Sequence, residues 1–104
     1  MAYEVSWTEH AHDDLDRIIR YIAVHLASPQ AASEHLDAFE EAVRTLSAFP
    51  CEFAIRSHPA LRSRGLRVKP VKRYVIIYSY EDERVTIHRI FHSLRDYVRL
   101  IDET

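Results

Sequence analysis

Tyr3 to Trp7 alternates apolar and polar side chains, the two-residue period of a half-buried strand. Thr8 then stands where a helix N-cap would accept the first orphan N–H groups. From Glu9 to about Leu26 the period changes. Leu15, Ile18, Ile19, Ile22 and Leu26 recur at helical spacing, with Asp13, Asp14, Asp16, Arg17 and Arg20 on the other faces. Acids in the early turns suit the positive end of the helix dipole. Ser28-Pro29 restarts the pattern, with Ser as N-cap and Pro at the first helical position, where its missing N–H costs nothing. Ala32, Leu36, Phe39, Val43 and Leu46 make the second stripe, and Pro50 ends it. Two helices with so short a connection predict an antiparallel helical hairpin.

Cys51 to Arg64 has no period, contains Pro59 and reads as a surface run. Leu66 and Val68 then alternate with Arg67 and Lys69, giving a strand with one apolar and one cationic face that Pro70 ends. Tyr74 to Tyr80 is apolar on both faces, as a central strand is, and Glu81-Asp82-Glu83 turns the chain into a last strand from Arg84 to Phe91. Leu94, Tyr97, Val98 and Ile101 return to helical spacing and predict a short closing helix. The order is β-α-α-β-β-β-α, an α+β chain with no repeat or linker, read as a single domain over residues 1–104. In the last strand simple alternation puts Arg89 on the apolar face with Val85, Ile87 and Phe91, and leaves Ile90 opposite. A buried guanidinium without a partner is too costly, so Arg89 requires a carboxylate or a solvated groove.

Composition changes the picture in three places. The net charge of −2 conceals a dipole, because residues 1–52 hold three basic and ten acidic side chains and residues 53–104 hold eleven and six. Arg67, Lys69, Lys72, Arg73, Arg89 and Arg95 would then gather on one small sheet, a surface suited to a negatively charged partner. The single Gly implies few left-handed turns, with Gly65 placed where a turn enters a strand. The lone Cys51 cannot form an internal disulfide. It fits a reducing compartment as a buried or half-buried loop thiol. No signal-like segment or long apolar run is present, so a cytoplasmic protein with no membrane association is expected.

Candidate chemistry centres on the end of the chain. His88 and His92 would be roughly 13 Å apart on one strand, too far to share an ion, and no Cys-x-x-Cys or His-Glu-x-x-His accompanies them, so neither a metal nor a cofactor is expected. His92, Arg95 and Tyr97 leave the last strand near Arg67, Lys69 and Arg73. His, Tyr, Lys and Arg can divide the work of metal-free RNA cleavage: activating the 2′-hydroxyl, protonating the leaving oxygen and stabilising charge on phosphorus. The same cations without that division of labour make a binding surface.

The succession Ala11-x-x-Asp14-Leu15-x-x-Ile18-x-x-Tyr21-Ile22, Ala31-Ala32, Phe49-Pro50, Gly65-Leu66-Arg67, Val71, Tyr74-x-Ile76-x-Tyr78 and Val85-x-Ile87-x-Arg89-Ile90-x-His92-x-x-Arg95-Asp96 resembles the RelE/ParE toxins of bacterial type II toxin–antitoxin systems. The resemblance covers nearly the whole chain. It implies a small mixed, largely antiparallel sheet with the hairpin on one face, growth arrest, and a hetero-oligomer with a cognate antitoxin. It also implies a choice of target. RelE-like members cut messenger RNA on the translating ribosome, and in that case His92, Arg95 and Tyr97 are the catalytic candidates. ParE-like members poison DNA gyrase, with Arg67, Lys69, Arg73 and Arg89 as target-binding or nucleic-acid-binding candidates. The nuclease branch commonly carries Arg where this chain has Val75, and the His-x-x-Arg-Asp ending is more like the gyrase branch. The ParE-like reading is therefore preferred.

Overall fold

One side chain starts the first helix and ties it to the last strand. Thr8 Oγ1 accepts the Ala11 N–H at 3.1 Å and donates to the His88 carbonyl at 2.8 Å. The structure, a computed structural model, describes residues 3–50, 61 and 63–102. Cys51 lies outside the described residues, with most of the irregular run that follows it. Strand β1 (Glu4–Trp7) leads into helix α1 (Glu9–Arg20), a π-helical turn (Tyr21–His25) and helix α2 (Pro29–Ala48). Strands β2 (Leu66–Val71), β3 (Tyr74–Glu81) and β4 (Arg84–His92) precede the short helix α3 (Tyr97–Asp102). The sheet runs β1-β4-β3-β2, with β1 parallel to β4 and the other pairs antiparallel, which is the α+β arrangement expected.

The centre of the sheet separates two apolar layers. Ile76 and Tyr78 of β3 join Val85, Ile87 and Ile90 of β4 against Ala11 of α1 and Phe39 and Leu46 of α2. Val75 and Ile77 face the other way, with Leu66, Phe91 and Ile101, and this second layer carries α3. That explains why Tyr74 to Tyr80 has no polar face. Burial of each Ile on these faces stabilises the fold by about 1.5–3 kcal/mol.

Three expectations need correction. Ile77 pairs with Arg89 but Tyr78 pairs with Ile87, so His88 is an extra residue in β4, a β-bulge that breaks simple alternation. Ile90 therefore faces the hairpin with Val85 and Ile87, and Arg89 and Phe91 lie on the opposite side. Nor is Gly the only residue in the left-handed region: Ala27 (φ 49°), Lys72 (φ 53°), Asp82 (φ 53°) and Glu83 (φ 61°) join Gly65 (φ 70°). Two consecutive positive φ values at Asp82 and Glu83 are what a two-residue type I′ hairpin requires, and they match the right-handed twist of β3 and β4. Finally, the apolar stripe of the first helix runs on through buried Ile22 in the π-helical turn and is lost beyond it. In and just after the π-helical turn, Val24 and Leu26 are 66% and 56% exposed. Likewise Leu94 precedes α3 and is 89% exposed, because the helix starts only where Asp96 Oδ1 accepts the Arg99 N–H at 3.3 Å.

Candidate functional site

Asp14 belongs to the buried stripe of α1, three residues after Ala11 and four before Ile18, and it is 3% exposed. A carboxylate there needs compensation, and β4 supplies it. Arg89 Nε donates to Asp14 Oδ2 at 2.7 Å and Arg89 Nη2 to Oδ1 at 3.0 Å, a two-pronged pair. Beyond the end of β1 the Ile90 N–H also donates to Oδ2, at 2.9 Å. The bulge is what lets Arg89 leave the hairpin face; its guanidinium lies 4.7 Å from the centre of the Phe91 ring, a cation–π contact. The carboxylate partner demanded by the sequence is thus present, reached by a different parity. Arg17 adds a longer contact to Asp14 Oδ1 at 3.6 Å from an exposed position.

Beside this pair a small cleft is lined by Arg17, Tyr74, Arg89, His92 and Arg95, with Asp14 at its base. Tyr74 is half-buried among rings, its centre 5.3 Å from His92 and 5.9 Å from Phe39, both off parallel. Burial, reinforced by the nearby Tyr21, pushes the Tyr74 phenol above its usual range, so at neutral pH it is an O–H donor. His92 Nδ1 accepts the Leu94 N–H at 3.1 Å. A backbone N–H only donates, so in neutral His92 the proton sits on Nε2. The cleft therefore holds donors and almost no acceptors. Among the described residues its one carboxylate, Asp14, is committed to Arg89 and Ile90.

The sequence candidates do not converge on one point. His92 and Arg95 share the cleft, and the Arg95 N–H donates to the His92 carbonyl at 3.0 Å. Tyr97 packs instead against the second apolar layer, with Val98, on the side away from the hairpin. Arg67 and Lys69 sit half-buried on β2, opposite Tyr78 and Ile76 and so on the hairpin side. Arg73 is exposed in the β2–β3 turn, where its carbonyl accepts the Ser93 N–H at 2.8 Å. The single cationic face expected from the sequence is thus divided between a sheet edge, a turn and the Asp14 cleft. Sequence reasoning overlooked Asp14 and Tyr74 as site residues. The signal for Asp14 was its place on the apolar stripe, mirrored by the misplaced charge of Arg89. Among the described residues, no three His, Cys, Asp or Glu side chains come together to hold a metal ion, and no described helix is long and apolar enough to cross a membrane.

On the opposite side, the bulge residue His88 has its Nε2 2.8 Å from Ser79 Oγ. Burial, and then the positive charge of Arg64, hold its pKa below the usual value. The folded state therefore favours neutral His88. Its contribution is complete above the unfolded pKa of about 6.5 and is lost as pH falls from there toward the folded pKa. His88→Gln should flatten the fall in unfolding free energy between pH 7 and 5, a slope of at most about 1.4 kcal/mol per pH unit from one proton. Parallel pH profiles for parent and variant would contradict this.

With this geometry in place, the likenesses to known proteins have a structural meaning. The fold matches a chain of the chromosomal ParDE toxin–antitoxin system from P. aeruginosa with a TM-score of 0.69 at 22% identity, over 88% of this chain and 96% of that one. It also matches a chain of the RelBE2 toxin–antitoxin complex from Mycobacterium tuberculosis, with a TM-score of 0.59 at 24% identity, over 88% and 99%. The family model described as the ParE toxin of the type II toxin–antitoxin system parDE matches residues 5–97. The chain belongs to that ParE toxin family. No curated protein matches it significantly.

Proposed function

We propose that this chain acts in the bacterial cytoplasm as a ParE-like toxin that arrests growth by poisoning DNA gyrase, and that a cognate antitoxin neutralises it in a hetero-oligomer. Val75 carries the choice of target. Where the nuclease branch commonly places an arginine, this side chain is buried with Leu66, Ile77, Phe91 and Ile101 beneath α3. One lost cation at a phosphorus centre costs about 3 kcal/mol of transition-state stabilisation. The remaining parts point the same way. Tyr97 packs in a different layer from His92 and Arg95, so the three catalytic candidates do not meet.

The test is induced expression in bacteria without a partner, followed by separate readouts of DNA supercoiling and messenger RNA integrity. Growth arrest with loss of supercoiling and intact messages is the expected result. Translation-dependent cuts in messenger RNA that disappear in His92→Ala or Arg95→Ala would replace this reading with the ribonuclease one.

A further inference from the structure

We propose that the cleft between α1 and the end of β4 is a phosphate site, and that it takes a backbone phosphate of DNA. Only the identity of the nucleic acid rests on the gyrase reading, since gyrase works on DNA; the phosphate chemistry rests on the cleft itself.

The charge count favours an anion. Among the described residues Arg17, Arg89 and Arg95 line the cleft against the single carboxylate of Asp14, three positive charges to one negative. Both oxygens of that carboxylate are already occupied, Oδ2 by Arg89 Nε and the Ile90 N–H and Oδ1 by Arg89 Nη2. Asp14 therefore anchors the guanidinium of Arg89 and offers little to repel an incoming anion. Arg95 is exposed, and its guanidinium forms no ion pair among the described residues. Arg17 is also exposed and, among the described residues, holds only the 3.6 Å contact to Asp14.

The uncharged groups are matched to the same ligand. The His92 proton is fixed on Nε2 by the Leu94 N–H, and the Tyr74 phenol keeps its proton at neutral pH. Neither donor has a hydrogen-bond acceptor among the described residues. A phosphate offers several acceptor oxygens to a mixed set of donors, and Arg matches it with a planar fork. With a cavity volume of about 120 Å³, the cleft has room for a phosphate group. Contact with the backbone alone positions a protein on nucleic acid without reading sequence. Exposed Lys72 and Arg73 in the β2–β3 turn, beside Tyr74, extend the positive rim. Along α1, Asp13 and Asp16 share an adjoining pocket with Arg17 and Arg20 and bound the site on that side. The footprint is accordingly one or two phosphates.

Fluorescence anisotropy of a labelled duplex DNA, titrated with the purified free protein over a salt series, tests this. Arg17→Gln combined with Arg95→Gln should weaken binding about tenfold or more and reduce the salt slope by about one, because both side chains serve one phosphate. Tyr74→Phe keeps the ring and removes only the hydroxyl; it should weaken binding by roughly threefold with the slope unchanged. Arg84→Gln, at the far end of β4 and paired with Glu4, should bind as the parent does. A double variant within twofold of the parent, or an equal loss in Arg84→Gln, would overturn the site. Polyglutamate of the same charge binding as tightly as DNA would overturn its phosphate character. An RNA strand of equal length that occupies the cleft more tightly would overturn the DNA assignment.

Failure here is separable from failure of the gyrase reading. Gyrase inhibition with DNA binding indifferent to the cleft variants removes the phosphate site and leaves the target standing. Cleft-dependent DNA binding without gyrase inhibition removes the target and leaves the site.

Discussion

Asp14→Ala should lower the unfolding free energy by about 3–5 kcal/mol, the cost of leaving a buried charge without its counter-ion. The loss exceeds that of a surface ion pair because Asp14 is 3% exposed and Arg89 16%. It strands two kinds of group at once: the guanidinium of Arg89 and the Ile90 N–H, which Asp14 Oδ2 satisfies at 2.9 Å. Arg89→Met should cost less, since the remaining carboxylate keeps Ile90 and can draw exposed Arg17 inward from 3.6 Å. Replacing both together, Asp14→Leu with Arg89→Met, should recover part of the loss, because an apolar pair of similar volume avoids desolvating two charges. Urea unfolding of the four proteins measures each loss and the recovery in the double variant. In a chain of this size the Asp14→Ala loss corresponds to a fall in Tm of more than about 12 °C. An Asp14→Ala protein that melts within two degrees of the parent would show that water, and not Arg89, balances the carboxylate.

This pair also marks the boundary of what the sequence could show. Element order, both helix caps and the central position of β3 were legible because each is a local signal: Thr8 and Ser28 accept N–H groups three residues on, and Tyr74 to Tyr80 has no polar face. Arg89 was legible as a problem and only half legible as a solution. The need for a carboxylate follows from burial physics, whereas the route to it runs through a bulge at His88 that no period reveals. Asp14 was hidden for the opposite reason. Beside Asp13 and Asp16 it reads as one more solvated acid at a helix start, although its spacing from Ala11 and Ile18 places it on the buried stripe. Two misplaced charges, one on a helix stripe and one on a strand, are best read as candidates for each other. Tyr97 and His92 looked adjacent because they are five residues apart, but consecutive elements can open onto different faces of a sheet. The left-handed residues Ala27, Lys72, Asp82 and Glu83 escaped because glycine counts report only the least costly way to reach positive φ.

Association with the cognate antitoxin should be fast at low salt and slow by an order of magnitude or more as salt rises, with a similar drop on charge reversal at β2. Strand β2 is the outer strand of the sheet beside β3, and an extended peptide can add to such an edge through main-chain hydrogen bonds. Pro70 lacks an N–H, so the pairing would be interrupted there and specificity would fall to side chains. Arg67 and Lys69 lie along the strand and Lys72 and Arg73 at its end, a run of positive charge that selects an acidic partner. Arg67→Glu with Lys69→Glu tests the strand itself, where both side chains are half-buried and a folding check is needed. Lys72→Glu with Arg73→Glu tests the exposed turn, where the fold is not at risk. Stopped-flow association rates over an ionic-strength series should show both variants slower by on the order of tenfold and less sensitive to salt. Dissociation should change less, since steering acts on encounter and apolar anchoring on residence. Rates indifferent to salt and to both reversals would move the interface to the apolar groove that Val5, Trp7, Leu15 and Val43 form where α1 and α2 meet β1.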